Sequence, residues 1–390
     1  MESIADSDST SNLSDFSLDN GHNCSDQPAG YDQYRVVVDV YLAGSLCLVG
    51  FIGNALSMAV VRRDRDPNQT TNWLLQSLAV VDSLYLVACV FIQPIKTINE
   101  YTTWSPRLLS SLFPYLEPHI WALASTAQTM TVWVVLLVTC DRYLAVCMAT
   151  RTNLRSLRRA KIAVCVVVVL AILYNGPRYF ERQVDLTSDP LTNLTAVRTK
   201  KTAFRESKIY FLVYKTILYF IFRSFGPLVT LTVLNVRLIN TLRQLKQRRS
   251  FIVSSRSARH RENITTMLVV VVSVFVVCEL PDPCLRIVVT LQEFVPGIGV
   301  DIWTMRYANA VTNLLLTVNS SVNFIIYCLV GRKFRQIFVR MLVCDRQCEA
   351  TTSVCEPTLS DSLHTQVNGT KIMLNSVALQ KYVKGKPVDL

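Results

Sequence analysis

The chain has 390 residues, of which 51% are hydrophobic and only 17% charged, with a formal net charge of +12. Soluble domains carry about a quarter charged residues, so this composition excludes an ordinary soluble globular protein. Positive charge suits nucleic acid or the inner loops of a membrane protein; the long apolar runs favour the membrane and leave no role for nucleic acid.

Residues 1–35 open with the acidic, Ser-rich "MESIADSDSTSNLSDFSLDNGHNCSD". It has neither a basic n-region nor an apolar h-region, so it reads as a disordered tail, with no cleaved signal peptide expected. The spans then follow in order: Val40 to Val61, Leu74 to Ile95 with Asp82, Ile120 to Cys140, and the shorter Ile162 to Pro177. Ile209 to Val236 carries Lys215 and Arg223; Asn263 to Val289 carries Glu279, Asp282 and Arg286; Tyr307 to Val330 carries no charge. A helical span needs roughly 20 mostly apolar residues. The runs are continuous rather than alternating, which points to helices and not to a barrel. The expected fold is an all-α membrane protein: a seven-transmembrane helix bundle within residues 36–346, closed by a short amphipathic eighth helix. Residues 347–390 read as a disordered cytoplasmic tail.

Lys and Arg set the orientation. They crowd the segments after the first, third, fifth and seventh spans, with eight from Arg237 to Arg261 alone. Those loops are expected in the cytoplasm and the N-terminus outside. One loop dissents: Arg178 to Lys208 puts seven basic residues on the outer side. Sequons at Asn12, Asn23 and Asn193 fall outside and can carry glycans. Cys344, Cys348 and Cys355 follow the last span, where palmitoylation and free thiols are equally open readings. Between them and the bundle, "GRKFRQIFVRML" sets Phe334, Ile337, Phe338, Met341 and Leu342 against basic residues, the pattern of a helix lying on the inner leaflet lipid. The end, "KPVDL", has the alternation of a PDZ-protein ligand.

At the inner end of the third span stands "VTCDRYLAVC". "GNAL" from Gly53, "LAVVD" ending at Asp82, "FGP" ending at Pro227, Pro281 and "NFIIYC" from Asn323 supply one further motif for each of five other spans. This ordered set resembles the rhodopsin-like G-protein-coupled receptors, from roughly Tyr31 to Arg346. The resemblance implies a plasma-membrane receptor and not an enzyme. Its implied partners are a heterotrimeric G protein, arrestin and receptor kinases, and Asp141, Arg142, Tyr143, Pro227, Pro281, Asn323 and Tyr327 are its activation residues. Asp141 can hold Arg142 at rest by a charge-assisted bond, and its release would let the sixth helix swing outward. Asp82, with Asn54, Thr131, Asn319, Ser320 and Asn323, matches the cavity where the family holds a sodium ion. Oxygen donors and one carboxylate suit such a cation, and a hydrogen-bonded water network suits the same residues equally.

The departures narrow the resemblance. No cysteine stands at the outer end of the third span, where the matching residue is Glu117, and none lies in the loop from Arg178 to Lys208. The usual disulfide is therefore absent, and the outer loop must be held by packing, through "YNGPRYFE" from Tyr174 to Glu181. Glu279 replaces the tryptophan of the sixth span, and Phe324 the proline that usually follows Asn323. Ala124 stands where amine receptors keep an aspartate, and Thr317 where opsins keep a lysine. Together with "CELPDP" and "NSSVNFIIYCL", these features resemble invertebrate FMRFamide-type neuropeptide receptors; receptors for myosuppressins share parts of the pattern.

An Arg-Phe-amide peptide is cationic once its terminal charge is removed. Its guanidinium needs a carboxylate in a low-dielectric cavity. Asp282 and Glu279 are the expected contacts, with Glu117 and Glu181 nearer the rim, Gln128 as a polar contact, and Phe211, Tyr214, Tyr219 and Phe275 around the phenyl ring. Three readings of Glu279 stay open: it meets the ligand, it pairs with Arg223 across the bundle, or it is protonated or water-bound. A transporter or channel is the competing class, opposed by the lack of an internal repeat.

Overall fold

The computed structural model describes residues 28–64, 69–101, 107–148, 156–188, 195–249, 256–295 and 299–352. Helix α1 spans Tyr31–Arg63 and α2 Thr70–Glu100; α3 spans Arg107–Val146 and α4 Leu157–Asn175. Strands β1 (Arg182–Ser188) and β2 (Thr195–Lys201) form an antiparallel hairpin in which Arg182 pairs with Lys201. Helix α5 spans Lys208–Leu245. Helix α6 runs as Arg256–Glu279 and resumes as Pro281–Phe294. Helix α7 runs as Ile302–Ser321 and Asn323–Val330, and α8 as Arg332–Thr352. Residues from Leu342 onward form a separate unit, described only to Thr352.

Among the described residues, five helices are long and apolar enough to cross a membrane, and a sixth span arises when the bent pair of α7 counts as one. The fourth, α4, is short and begins with Arg158, Arg159 and Lys161. Apolar side chains such as Leu48, Ile52, Val169, Leu173, Val229 and Val277 stand exposed on the bundle. A surface so apolar is unfavourable in water and is what a helix bundle presents to hydrocarbon.

The helices depart from regular winding where sequence demands it. Phe211–Arg223 is wound with π-type bonding and ends at Ser224. Pro227 has no N–H, so the Phe222 carbonyl has no π-type partner five residues on. The indole of Trp133 on α3 donates to that carbonyl at 2.8 Å. Gly226 is required here, because a Cβ would come within 2.0 Å of the Ile221 carbonyl oxygen.

Helix α7 bends by 50° between its two halves without the proline that the family pattern supplies. Ser321 donates back to the Thr317 carbonyl at 2.7 Å, a contact that bends helices. Phe324 then packs beside Gly53, whose missing side chain makes the room, and meets Phe334 and Phe338 edge-on.

The main apolar core lies in the inner half, where Leu75, Leu78, Val134, Leu231, Leu268 and Phe275 pack together. On α8, Phe334 and Met341 are buried and Ile337 and Phe338 pack on this core, while Leu342 is exposed. Much of the apolar face of α8 thus turns to the bundle, and less of it than expected is left for lipid.

Candidate functional site

The end of the bundle expected in the cytoplasm holds a buried polar triangle. Arg142 is 1% exposed; its Nε donates to Asp141 at 3.1 Å and its Nη2 donates to both Asp141 and Thr71. Thr71 of α2 also donates to Asp141, at 3.1 Å. Tyr143, the next residue, is half-buried. Charge-assisted bonds of this kind are strong in a dry site, so the guanidinium is held against α2. Tyr327, 2% exposed, lies against Phe334 in the same half.

Above it, Asp82 is fully buried on α2. Its Oδ1 accepts from Thr131 at 2.9 Å and Ser320 at 3.2 Å, and its Oδ2 from Asn323 at 2.7 Å. Asn54 bonds instead to the Ser320 carbonyl at 3.3 Å. Asn319 is buried nearby in sequence but no bond to Asp82 joins it to the set. The carboxylate and two hydroxyl oxygens fit a hard monovalent cation, whereas Asn323 turns its nitrogen to Asp82 and offers no oxygen there.

The outer half opens into a cavity of about 660 Å³, counting the space open to solvent at its mouth. Of the expected ligand contacts, Gln128, Tyr219, Arg223 and Asp282 line it. Asp282 accepts from the Tyr219 hydroxyl and faces Arg286 at 3.5 Å, with that guanidinium stacked 3.9 Å from the centre of the Tyr219 ring.

Glu279, Glu117, Glu181, Phe211, Tyr214 and Phe275 are not part of the cavity wall. Glu279 is bonded to Arg223 at 3.1 Å, both side chains buried, so the internal pair is the arrangement present. Buried charges are held in this way because an unpaired one is expensive. Phe275 belongs to the inner core, Phe211 packs on Phe294 and Tyr214 on Tyr174 and Tyr210.

Glu117 corrects both the rim-contact expectation and the expectation that packing holds the outer loop. Its Oε1 meets Lys96 Nζ at 2.6 Å and Arg182 Nη1 at 3.3 Å, and its Oε2 accepts from Thr199 at 2.7 Å. The carboxylate thereby ties α2 and α3 to both strands of the hairpin. Glu181 makes a second tie, to Lys215 at 2.9 Å and to the Tyr210 hydroxyl at 2.7 Å. The "YNGPRYFE" turn contributes through Asn175, which donates to Thr129 at 3.1 Å. The eight cysteines with described side chains are all free. The dissenting basic loop is thus partly spent on inward partners: Arg182 meets Glu117 and Arg178 lines the cavity.

Sequence reasoning missed Gln93, Arg178, Arg286 and Asn313 on the cavity wall. The spacing of Asp282 and Arg286, four apart on a helix, is the signal that could have found Arg286. Gln93 gave none, being one uncharged polar residue in an apolar run. The sequons Asn12, Asn23 and Asn193 and the C-terminal "KPVDL" lie outside the described residues, as do the side chains of Cys344 and Cys348.

A family model described as 7 transmembrane receptor (rhodopsin family) matches residues 53–327. The chain is 29% identical over 294 residues to the FMRFamide receptor of Drosophila melanogaster, covering 75% of this chain and 51% of that receptor. The match therefore spans about half the length of the Drosophila protein. An FMRFamide peptide receptor of Caenorhabditis elegans is 28% identical, covering 79% of this chain and 69% of its own length. The growth hormone secretagogue receptor type 1 of Oryctolagus cuniculus is likewise 28% identical, covering 76% and 78%. With some 70% of its length inside one family model and its motifs set one per helix around a central cavity, the chain is a multi-pass membrane receptor, not an enzyme, and belongs to the rhodopsin family of seven-transmembrane receptors.

Proposed function

We propose that this receptor sits in the plasma membrane with its N-terminus outside and binds an FMRFamide-like neuropeptide ending in Arg-Phe-amide. Binding is transmitted to a heterotrimeric G protein through Arg142. The observation that carries the reading is the likeness, over three quarters of the chain, to receptors named for FMRFamide. The outer cavity supports it, since Asp282 is a carboxylate on its wall. In the bound state the peptide's arginine takes Asp282 from Arg286, and its phenyl ring lies against Tyr219 and Trp121. Glu279 acts at one remove, through Arg223. Family membership sets aside the transporter alternative. A receptor for another amidated peptide, such as a myosuppressin, remains the second reading.

Several accessory roles belong to the same proposal: a sodium ion held by Asp82, Thr131 and Ser320, glycans at Asn12, Asn23 and Asn193, and palmitate at Cys344 and Cys348. Arrestin and receptor kinases act at the cytoplasmic face, and a PDZ protein on the C-terminus. The test is nucleotide exchange on added G protein, in membranes from cells expressing the chain, challenged with a panel of amidated peptides. Exchange driven by Arg-Phe-amide peptides at low concentration is the expected outcome. Exchange with myosuppressins alone would move the assignment to the second reading, and none with any amidated peptide would overturn it.

A further inference from the structure

The cavity wall carries two buried polar atoms of opposite kind that have no hydrogen-bond partner. Arg223 is 4% exposed; its Nη1 is engaged by Glu279, while its Nη2 is unpartnered. Gln93 is also 4% exposed; its Nε2 donates to the Thr317 hydroxyl at 3.1 Å, while its Oε1 is unpartnered. Gln128 adds a third such atom, its Nε2. All three residues line the same cavity. Burying a donor or acceptor without a partner costs about 1–3 kcal/mol, so such atoms mark where a partner belongs.

The orientation of Gln93 is fixed by its neighbour. Thr317 has one hydroxyl proton, and its acceptors are the Asn313 carbonyl at 2.9 Å and, farther off, Cys89 Sγ at 3.9 Å. Toward Gln93 the hydroxyl can then only accept, so Gln93 must give it the amide nitrogen and keep its carbonyl oxygen for the cavity. The wall thus presents a fixed acceptor from α2 and a fixed charged donor from α5. Gln128, with no bond to fix its flip, can serve as either.

We infer that this acceptor and donor pair reads the ligand's terminal carboxamide. The carboxamide oxygen accepts from Arg223 Nη2, and its NH₂ donates to Gln93 Oε1. A free carboxylate has acceptors only and would set like against like at Gln93; an ammonium would do so at Arg223. The inference rests on the amidated-peptide reading above and adds to it the residues that tell amide from acid. Gln93 contacts the ligand, and Thr317 is a positioning residue that acts through Gln93.

The test compares Phe-Met-Arg-Phe-amide with its free-acid twin on membranes bearing the full chain, with nucleotide exchange as readout and surface expression as control. The amide is expected to act at roughly 100-fold lower concentration than the acid, because the acid leaves the acceptor facing an acceptor. Gln93→Met keeps the length and removes the acceptor, and should narrow that ratio to about 10-fold or less. Thr317→Val keeps the shape, frees Gln93 to turn, and should narrow the ratio in the same direction without abolishing the response. An unchanged ratio in both variants would overturn the assignment of Gln93 and leave the amidated-peptide reading standing. A wild type that answers amide and acid alike would overturn the carboxamide site outright. A wild type silent to every amidated peptide would remove the reading and this inference together.

Discussion

The outer and inner halves of the bundle solve the problem of holding seven helices in opposite ways. In the outer half, charges bridge separate elements: Lys96 and Arg182 with Glu117, Lys215 with Glu181, and Arg223 with Glu279. The inner half is a continuous apolar core around one buried ionic triangle, Arg142, Asp141 and Thr71. Apolar packing is non-directional and has no alternative partner to exchange with. Ion pairs are directional, and each can be re-paired by an incoming charge. On the proposed function, the half that would receive a ligand is therefore built from exchangeable contacts, and the half that would transmit the signal sets its buried ionic triangle in an apolar surround.

The comparison breaks most visibly at the inner triangle. Arg142→Ala should abolish nucleotide exchange while the receptor still reaches the surface, because the surrounding apolar core is untouched. Normal peptide-driven exchange by this variant would remove Arg142 from the coupling path. Thr71→Ala, which takes away one hydrogen-bond partner of Arg142, should instead raise basal exchange.

Next in size is the outer tie. Glu117→Gln removes the carboxylate that Lys96 and Arg182 share, a loss of about 3–5 kcal/mol for a broken buried pair. Thermal stability in detergent and surface expression should both fall. Wild-type stability in this variant would mean that packing and not charge holds the hairpin.

Asp282→Asn sharpens the ligand side of the comparison. Removing a buried charge partner costs about 2–5 kcal/mol, so potency of an Arg-Phe-amide peptide should drop by roughly 30-fold or more. A citrulline analogue should be weak on the wild type and lose little more on the variant. Because Asp282 also faces Arg286, Arg286→Gln serves as the control for lost positioning. Equal losses for the arginine and citrulline peptides would show that Asp282 does not read the ligand's arginine.

The smallest expected effect is none. The described cysteines are free and the hairpin is tied by carboxylates, so mild reducing agent should leave peptide affinity unchanged. A marked loss on reduction would point to a disulfide beyond the described residues.

The sequence by itself determined the class of this protein. The apolar runs, the Lys and Arg bias and the ordered motifs are local or periodic features, and each is visible without knowing what touches what. It also excluded the family's disulfide, since a missing cysteine is a fact of composition. The sequence named Glu279 as a charge needing a partner, because a lone carboxylate in an apolar run is costly wherever it points, and placed Glu117 and Glu181 near the rim. Which partner each takes was beyond it. Lys96 lies 21 residues from Glu117, Arg182 lies 65 away and Arg223 lies 56 from Glu279. Only the crossing of helices brings such residues together, and helical period says nothing about a neighbour on another helix. The bend of α7 without its proline, and the unpartnered atoms of Gln93, Gln128 and Arg223 on the cavity wall, likewise belong to the tertiary structure. Both arise from which side chains meet across helices, and that is set by the packing of the whole bundle.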